Sequence, residues 1–243
     1  MRRFLAVALL VAAACSDRPA PSKSDGPPKE PVTESPESGP GILAGKISFT
    51  GTPPPPRVIQ VNKDEDHCGA AAGQTVVEVA VGDDGGLAGC VVEITGLTGK
   101  FSHPAAGYSI RQKGCRFVPH FQVIPNGAEL TVHNDDPVLH NVNTGAWNQA
   151  QIAGAPAFKK KVRFRGRALL RVNCNVHSWM EAWLYVARSP FFAMTDTSGA
   201  YRIADVPPGT YKVTFTHAAL GAKSARLEIK GGKTTTHDLG YTK

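Results

Sequence analysis

The residues Cys174-Asn175-Val176-His177-Ser178-Trp179-Met180 place a thiol, an imidazole and a thioether three apart, directly after an alternating apolar segment. These are soft and borderline metal ligands. A trigonal set of two His and one Cys, with a weak axial Met, holds both oxidation states of copper in nearly one geometry, so an electron moves with little reorganisation. The second imidazole is supplied by His140 in Val138-Leu139-His140-Asn141-Val142, upstream and across two expected strands. The same residues have other readings: ordinary core and turn positions without metal, a zinc site, or a Cys174 nucleophile activated by His177. A catalytic dyad needs no Met, and this spacing suits a shared metal better.

The elements that must position these ligands read as strands. Alternating segments lie at 43–49, 75–81, 90–94, 116–124, 129–132, 161–165, 169–172 and 182–186, separated by turn signals such as Pro125-Asn126-Gly127 and Asn134-Asp135-Asp136-Pro137. Gly 25 and Pro 19 against only 7% aromatic residues favour short strands and frequent turns. The fold class expected is all-β, with Greek-key connections rather than βαβ units.

With the ligands and strands in view, His-Asn followed by Cys-x-x-His-x-x-Met resembles the cupredoxins, in their short-loop, amicyanin-like form, over residues 75–187. The resemblance implies that His140 and His177 are imidazole ligands, Cys174 the thiolate and Met180 the distant axial sulfur of one type 1 copper ion. It also implies that the backbone N–H of Asn141 donates to the thiolate and tunes the site. Ser178 stands where short-loop members commonly carry Pro, which leaves the edge of His177, the ligand expected to be exposed, less apolar. Trp179 has two readings, an apolar contact for a redox partner or a buried packing residue.

Residues 1–15 join Arg2 and Arg3 to an apolar run that ends at Cys15, too short to span a bilayer. They resemble a lipoprotein signal, with Cys15 the lipidated residue. Residues 16–41 are Pro- and Ser-rich and too poor in apolar side chains to fold, so they read as a disordered linker. The expected location is the cell envelope, in the periplasm or at the outer membrane, with the membrane reached through the lipid. Removing Arg2 and Arg3 from 27 basic residues leaves 25 against 20 acidic, or +5. That balance is too weak for nucleic-acid binding without aromatic stacking motifs, and it suits an acidic partner.

Lys161, Arg163, Arg165 and Arg167 are expected on one strand face, with Val162 and Phe164 inward. The stripe reads either as a docking face for an acidic redox partner or as a solvated edge strand protected by its charges. Among Cys68, Cys90 and Cys115 one thiol must stay unpaired within the chain. Cys68 with Cys115 is the expected disulfide, because Cys90 heads an apolar strand where it packs as a small hydrophobe. His67, His103, His120, His133, His217 and His237 are read as structural.

The block at 189–243, with Thr195-Asp196-Thr197-Ser198-Gly199 and Val206-Pro207-Pro208-Gly209, resembles the carboxypeptidase regulatory-like, transthyretin-related β-sandwich. No His-Glu-x-x-His pattern accompanies it, so no peptidase activity is expected. The division expected is 1–15 signal, 16–41 linker, 42–74 a strand and loop that fit the C-terminal sandwich, 75–188 cupredoxin and 189–243 the smaller sandwich. Insertion of the cupredoxin within that sandwich and edge-on packing against it both stay open. The function expected is electron transfer or copper carriage by a non-enzyme. The alternative is a non-catalytic binding or adhesion module that uses the cupredoxin as scaffold without copper.

Overall fold

A computed structural model describes residues 39–97 and 107–243. The signal segment with Cys15, the linker up to residue 38 and His103 lie outside the described residues.

The chain begins in β1 (Gly41–Thr50), where Leu43, Ile47 and Phe49 are buried. It then makes an excursion through β2 (Arg57–Val58), the short helix α1 (Glu65–Cys68) and β3 (Thr75–Val76), and returns in β4 (Val91–Thr95). The next nine strands come in order: β5 (Tyr108–Gln112), β6 (Phe117–Val118), β7 (Phe121–Pro125), β8 (Glu129–Asn134), β9 (His140–Asn143), β10 (Asn148–Gln151), β11 (Phe158–Lys161), β12 (Leu169–Asn173) and β13 (Glu181–Ala187). The last six are β14 (Phe192–Met194), β15 (Ala200–Val206), β16 (Gly209–His217), β17 (Gly221–Ile229), β18 (Thr234–Thr236) and β19 (Leu239–Thr242). The described protein is all-β apart from short helical turns.

Strands β5 to β13 form two sheets, ordered β10-β9-β12-β13-β7 and β11-β8-β5-β6. The pairs β13/β7 and β5/β8 are parallel although the other ladders here are antiparallel, which requires long connections that cross between sheets. The inward residues of the two sheets, among them Ile110, Leu130, Val132, Val142, Val172, Leu184 and Val186, share one buried cluster. Ile59, Cys68, Ala71 and Val76 join it, so the excursion between β1 and β4 packs on this sandwich. Cys68 and Cys115 form a disulfide that fastens α1 to the turn between β5 and β6.

A second sandwich faces the sheet β14-β4-β16-β17 against β1 and its partners β15, β18 and β19. Leu43, Ile47, Val92, Ile94, Tyr201, Val213, Phe215 and Tyr241 fill its core. β1 runs antiparallel to β15 and parallel to β18 and then β19, which cover successive halves of it. At that handover a Cβ on Gly45 would lie 2.1 Å from the carbonyl oxygen of His237, so only glycine admits the crossing chain.

This pairing differs from the sequence-based division at residue 75. β4, assigned to the 75–188 segment, pairs with β14 and β16, so the chain leaves the second sandwich after β4 and re-enters it at β14. Alternation identifies which face of a strand is buried but not which strand lies beside it. The strand expected at 161–165 is β11, ending at Lys161. Val162 stays buried through backbone bonds with Gly127 and Ala128, but Arg163, Arg165 and Arg167 project from an irregular segment that turns at Gly166, φ 80°.

The two sandwiches meet at Glu93, a fully buried carboxylate on β4. It accepts hydrogen bonds from the Tyr185 hydroxyl at 2.8 Å and from the amides of Arg188 and Ser189. Burial, with the nearby Glu93 charge, pushes the Tyr185 phenol above its usual range. Glu93→Ala leaves three donors without their acceptor, and urea titration is expected to read a loss of about 3 kcal/mol or more, against about 1 kcal/mol for Tyr185→Phe. Equal small losses would remove Glu93 from this role. The disulfide closes a 47-residue separation. Its removal in Cys68→Ser/Cys115→Ser is expected to cost about 4 kcal/mol by the loop-entropy relation, read in the same titration; an unchanged midpoint would contradict this.

Candidate metal centre

The connection from β12 to β13 is a short closed loop, and its closure is local. The Cys174 N–H donates to the Met180 carbonyl at 3.3 Å, and the Met180 N–H donates to the His177 carbonyl at 3.0 Å. Inside the loop the His177 N–H points at Cys174 Sγ, 3.4 Å away. β9 begins with His140, and the next amide, that of Asn141, donates to the same sulfur at 3.4 Å. Two N–H dipoles aimed at one sulfur favour negative charge on it. Asn141 also ties the two segments together, since its Oδ1 accepts the Asn175 N–H at 2.6 Å and its Nδ2 donates to Asn148 Oδ1 at 2.6 Å.

This arrangement brings three of the expected ligands together. His140 Nδ1 and His177 Nδ1 are 2.9 Å apart, and Cys174 Sγ is 3.9 Å from His177 Nδ1. The donor atoms of His140, Cys174 and His177 all lie within 4.8 Å of one another. Both imidazoles are fully buried, and Cys174 and Met180 nearly so. Met180 closes the ligand loop through its backbone and sits in the same buried cluster as Cys174.

Each imidazole is held from behind by a carboxylate. His140 Nε2 lies 2.9 Å from Asp136 Oδ2, and His177 Nε2 lies 2.7 Å from Asp64 Oδ2. A ring that donates its Nε2–H to a carboxylate keeps the Nδ1 lone pair free for a ligand bond. Burial pushes His140 below its usual value, and the hydrogen bond to Asp136 opposes that fall. Asp136 is also buried, which works against its ionised form; the amides of Cys115 and Gly114, together with His140, outweigh this and hold its carboxyl below the usual range. His67 Nε2 approaches the other oxygen of Asp136 at 3.1 Å.

Asp64 and Asp136 escape sequence reasoning, which assigns the first no role and reads the second only as part of a turn. The one signal for them is the run of acidic residues and His67 beside Cys68, once Cys68 is tied to the sandwich. The expectation of an exposed His177 edge is overturned, because the segment carrying Asp64 covers it. Trp179 takes its packing reading: it is buried, 5.0 Å ring to ring from His177, and its Nε1–H donates to the Cys115 carbonyl at 3.1 Å. Cys90 is free and buried in the second sandwich, its thiol pushed up to about 12 by burial. His120 bonds the Glu181 carbonyl through Nδ1 at 2.9 Å. His133, His217 and His237 lie outside the ligand group, and the neighbouring cluster of His67, Cys115 and Asp136 has its sulfur committed to the disulfide.

The donor set fits one soft-to-borderline ion. Metal–nitrogen bonds of about 2.0 Å and a metal–sulfur bond of about 2.3 Å, lengths typical for zinc, are long enough to span the 2.9 Å between the two Nδ1 atoms and the 3.9 Å between His177 Nδ1 and Cys174 Sγ. The combination of one thiolate and two imidazoles with a Met on the same loop suits copper or zinc better than an oxygen-seeking ion.

No protein-family model matches this sequence, and no curated protein matches it. Among solved structures, a purple cupredoxin from Nitrosopumilus maritimus is 20% identical, over 33% of this chain and 99% of its own, with a TM-score of 0.28. The oxidised state of an amicyanin variant is 14% identical, over 39% of this chain and 97% of its own, with a TM-score of 0.29. A copper-containing nitrite reductase from Thermus scotoductus is 15% identical, over 40% of this chain and 26% of its own, with a TM-score of 0.28. At these scores the likenesses establish no family for the chain.

Proposed function

We propose that this protein is an exported type 1 copper protein of the cupredoxin kind that carries single electrons in the cell envelope. His140, Cys174 and His177 are its trigonal donors and Met180 its weak axial thioether. The observation that carries the reading is the convergence of two Nδ1 atoms and one Sγ within 4.8 Å in a buried pocket. Bound there, copper supplies one-electron redox chemistry. The chain's own residues do the rest. Asp136 and Asp64 fix the two rings, the amides of Asn141 and His177 stabilise charge on the sulfur, and burial keeps water from the donors. Donors enclosed in this way favour an electron carrier over an enzyme that must admit substrate. The C-terminal sandwich, with its carboxypeptidase regulatory-like pattern, is read as structural.

The test is the visible spectrum after copper(II) is added to purified protein. An intense blue or violet thiolate-to-copper band is expected, abolished in Cys174→Ala and kept in Met180→Leu, whose reduction potential rises because the axial sulfur modestly favours the oxidised ion. A colourless protein with copper verified in the sample would sink the assignment and favour the non-catalytic binding module.

Export and lipid attachment at Cys15 rest on the sequence of residues 1–15. The native protein is expected to sediment with membranes and Cys15→Ser to appear in the soluble envelope or secreted fraction, since a mildly basic surface alone holds a protein weakly to lipid. Membrane retention of that variant through high-salt washing would overturn the anchor.

A further inference from the structure

The usual way for an electron to leave a buried ligand is across the nearest exposed edge, and here the two sides of the site differ in cover and in charge. On the His177 side, Asp64 caps the ring, and the exposed Glu65 and Asp66 come next on α1. With Lys63 beside them these three carboxylates leave that surface net acidic, and it is fastened down by the disulfide. On the Cys174 side, the next residue is Asn175, which is exposed. Its side-chain oxygen accepts from Asn143 Nδ2 at 3.1 Å and from Asn173 Nδ2 at 3.0 Å, so one peptide bond joins the thiolate residue to an ordered polar surface.

That surface runs into a concavity of about 620 Å³ between the turn after β9 and the segment joining β11 to β12. Asn143 and Asn173 line it together with Arg165 and Arg167. Arg171 lines it too, but its Nε is paired with Glu181 at 2.6 Å. Arg165 and Arg167 are exposed and make no ion pair among the described residues. At about 3.3 Å per residue, β12 sets Leu169 about 17 Å from Cys174, and Arg167 and Arg165 lie beyond the start of that strand. A standard interface of about 800 Å² per partner covers both.

We propose that an acidic one-electron redox protein docks in this concavity, anchored by Arg165 and Arg167, and exchanges its electron through the Cys174–Asn175 side of the site rather than through the His177 edge. The proposal rests on the copper reading above. One electron passes from the reduced protein to the oxidised partner, and no bond is made or broken. The same charge asymmetry that draws an acidic partner to Arg165 and Arg167 repels it from Asp64, Glu65 and Asp66. The basic run read from sequence thereby acts as a pair of arginines at the rim of a hollow, not as a flat strand face.

The test has two arms. In the first, hexacyanochromate(III), a redox-inert paramagnetic trianion, is titrated into the metal-free protein, and amide signals are followed by NMR. Broadening is expected at Asn143–Ala146 and Arg165–Arg171 and is abolished in Arg165→Glu/Arg167→Glu. In the second, the reduced copper-loaded protein is oxidised by hexacyanoferrate(III) in stopped flow. The same variant is expected to react about tenfold more slowly at low ionic strength, the difference shrinking as salt is added. Lys212→Glu/Arg226→Glu, an exposed pair on the other sandwich, changes net charge equally and should stay within about twofold of the parent.

Equal slowing in both variants, or broadening spread over all basic surfaces, overturns the proposal. So does broadening in the concavity with no kinetic effect, which makes it an anion site off the electron route. Retention on phosphatidylglycerol vesicles that depends on Arg165 and Arg167, with neither arm showing its expected effect, assigns the face to lipid instead. Failure of the copper reading is distinguishable, because it removes the blue band while leaving the first arm intact.

Discussion

Two hydrogen bonds between carboxylate and imidazole, Asp136 to His140 and Asp64 to His177, are the constraint on which the arrangement depends. An imidazole has two nitrogens and can turn either one toward a ligand; holding Nε2 from behind leaves Nδ1 as the inward donor in both rings. The thiol of Cys174 then has two nitrogen donors within reach, and the amides of Asn141 and His177 complete its surroundings. Neither carboxylate is free to wander. Asp136 is locked by the amides of Gly114 and Cys115, and Asp64 belongs to a segment whose far end is bonded to Cys115 by the disulfide. One turn, Gly114-Cys115, thus braces both ligands.

The chain path makes this bracing possible. The second sandwich sends out a first excursion, between β1 and β4, and then the whole β5–β13 sandwich before closing with β14 to β19. The first excursion supplies Asp64, Cys68 and the apolar residues Ile59, Ala71 and Val76 that join the core beneath the donor cluster. The β5–β13 sandwich taken alone, from residue 107 onward, would lack the cap on His177. The buried Glu93, bonded to Tyr185 and to the amides just beyond β13, joins the two cores at the point where the chain re-enters the second sandwich.

How far the sequence discloses this depends on the range of each interaction. The grouping of Cys174 with His177 is legible because both stand in one short loop, and that of His140 with them through the His-Asn pattern of the resemblance, whereas Met180 is placed in that loop by its backbone and its core packing. The all-β class is legible from alternation and turn chemistry. Asp64 is not, since its partner His177 lies 113 residues away and nothing in a polar loop marks which residue will face a buried ring. The sheet to which β4 belongs is equally hidden: Val92 and Ile94 announce a buried face, and either core would accept them. The basic run misleads for a related reason. Val162 and Phe164 alternate with charges as a strand would, yet β8 begins at Glu129, opposite Lys161, so the ladder ends there, and the turn at Gly166 redirects the chain toward β12. The exposure expected for His177 comes from a resemblance rather than from the residues, and it fails because the segment carrying Asp64 covers the ring.

The central claim is that one ion is held by a single thiolate and two imidazoles. X-ray absorption at the copper edge of the copper(II)-loaded protein tests it most directly. The account predicts an inner shell of one short copper–sulfur bond and two imidazole nitrogens, with no such sulfur bond in Cys174→Ala. An inner shell of nitrogen and oxygen alone, unchanged by that substitution, would contradict it.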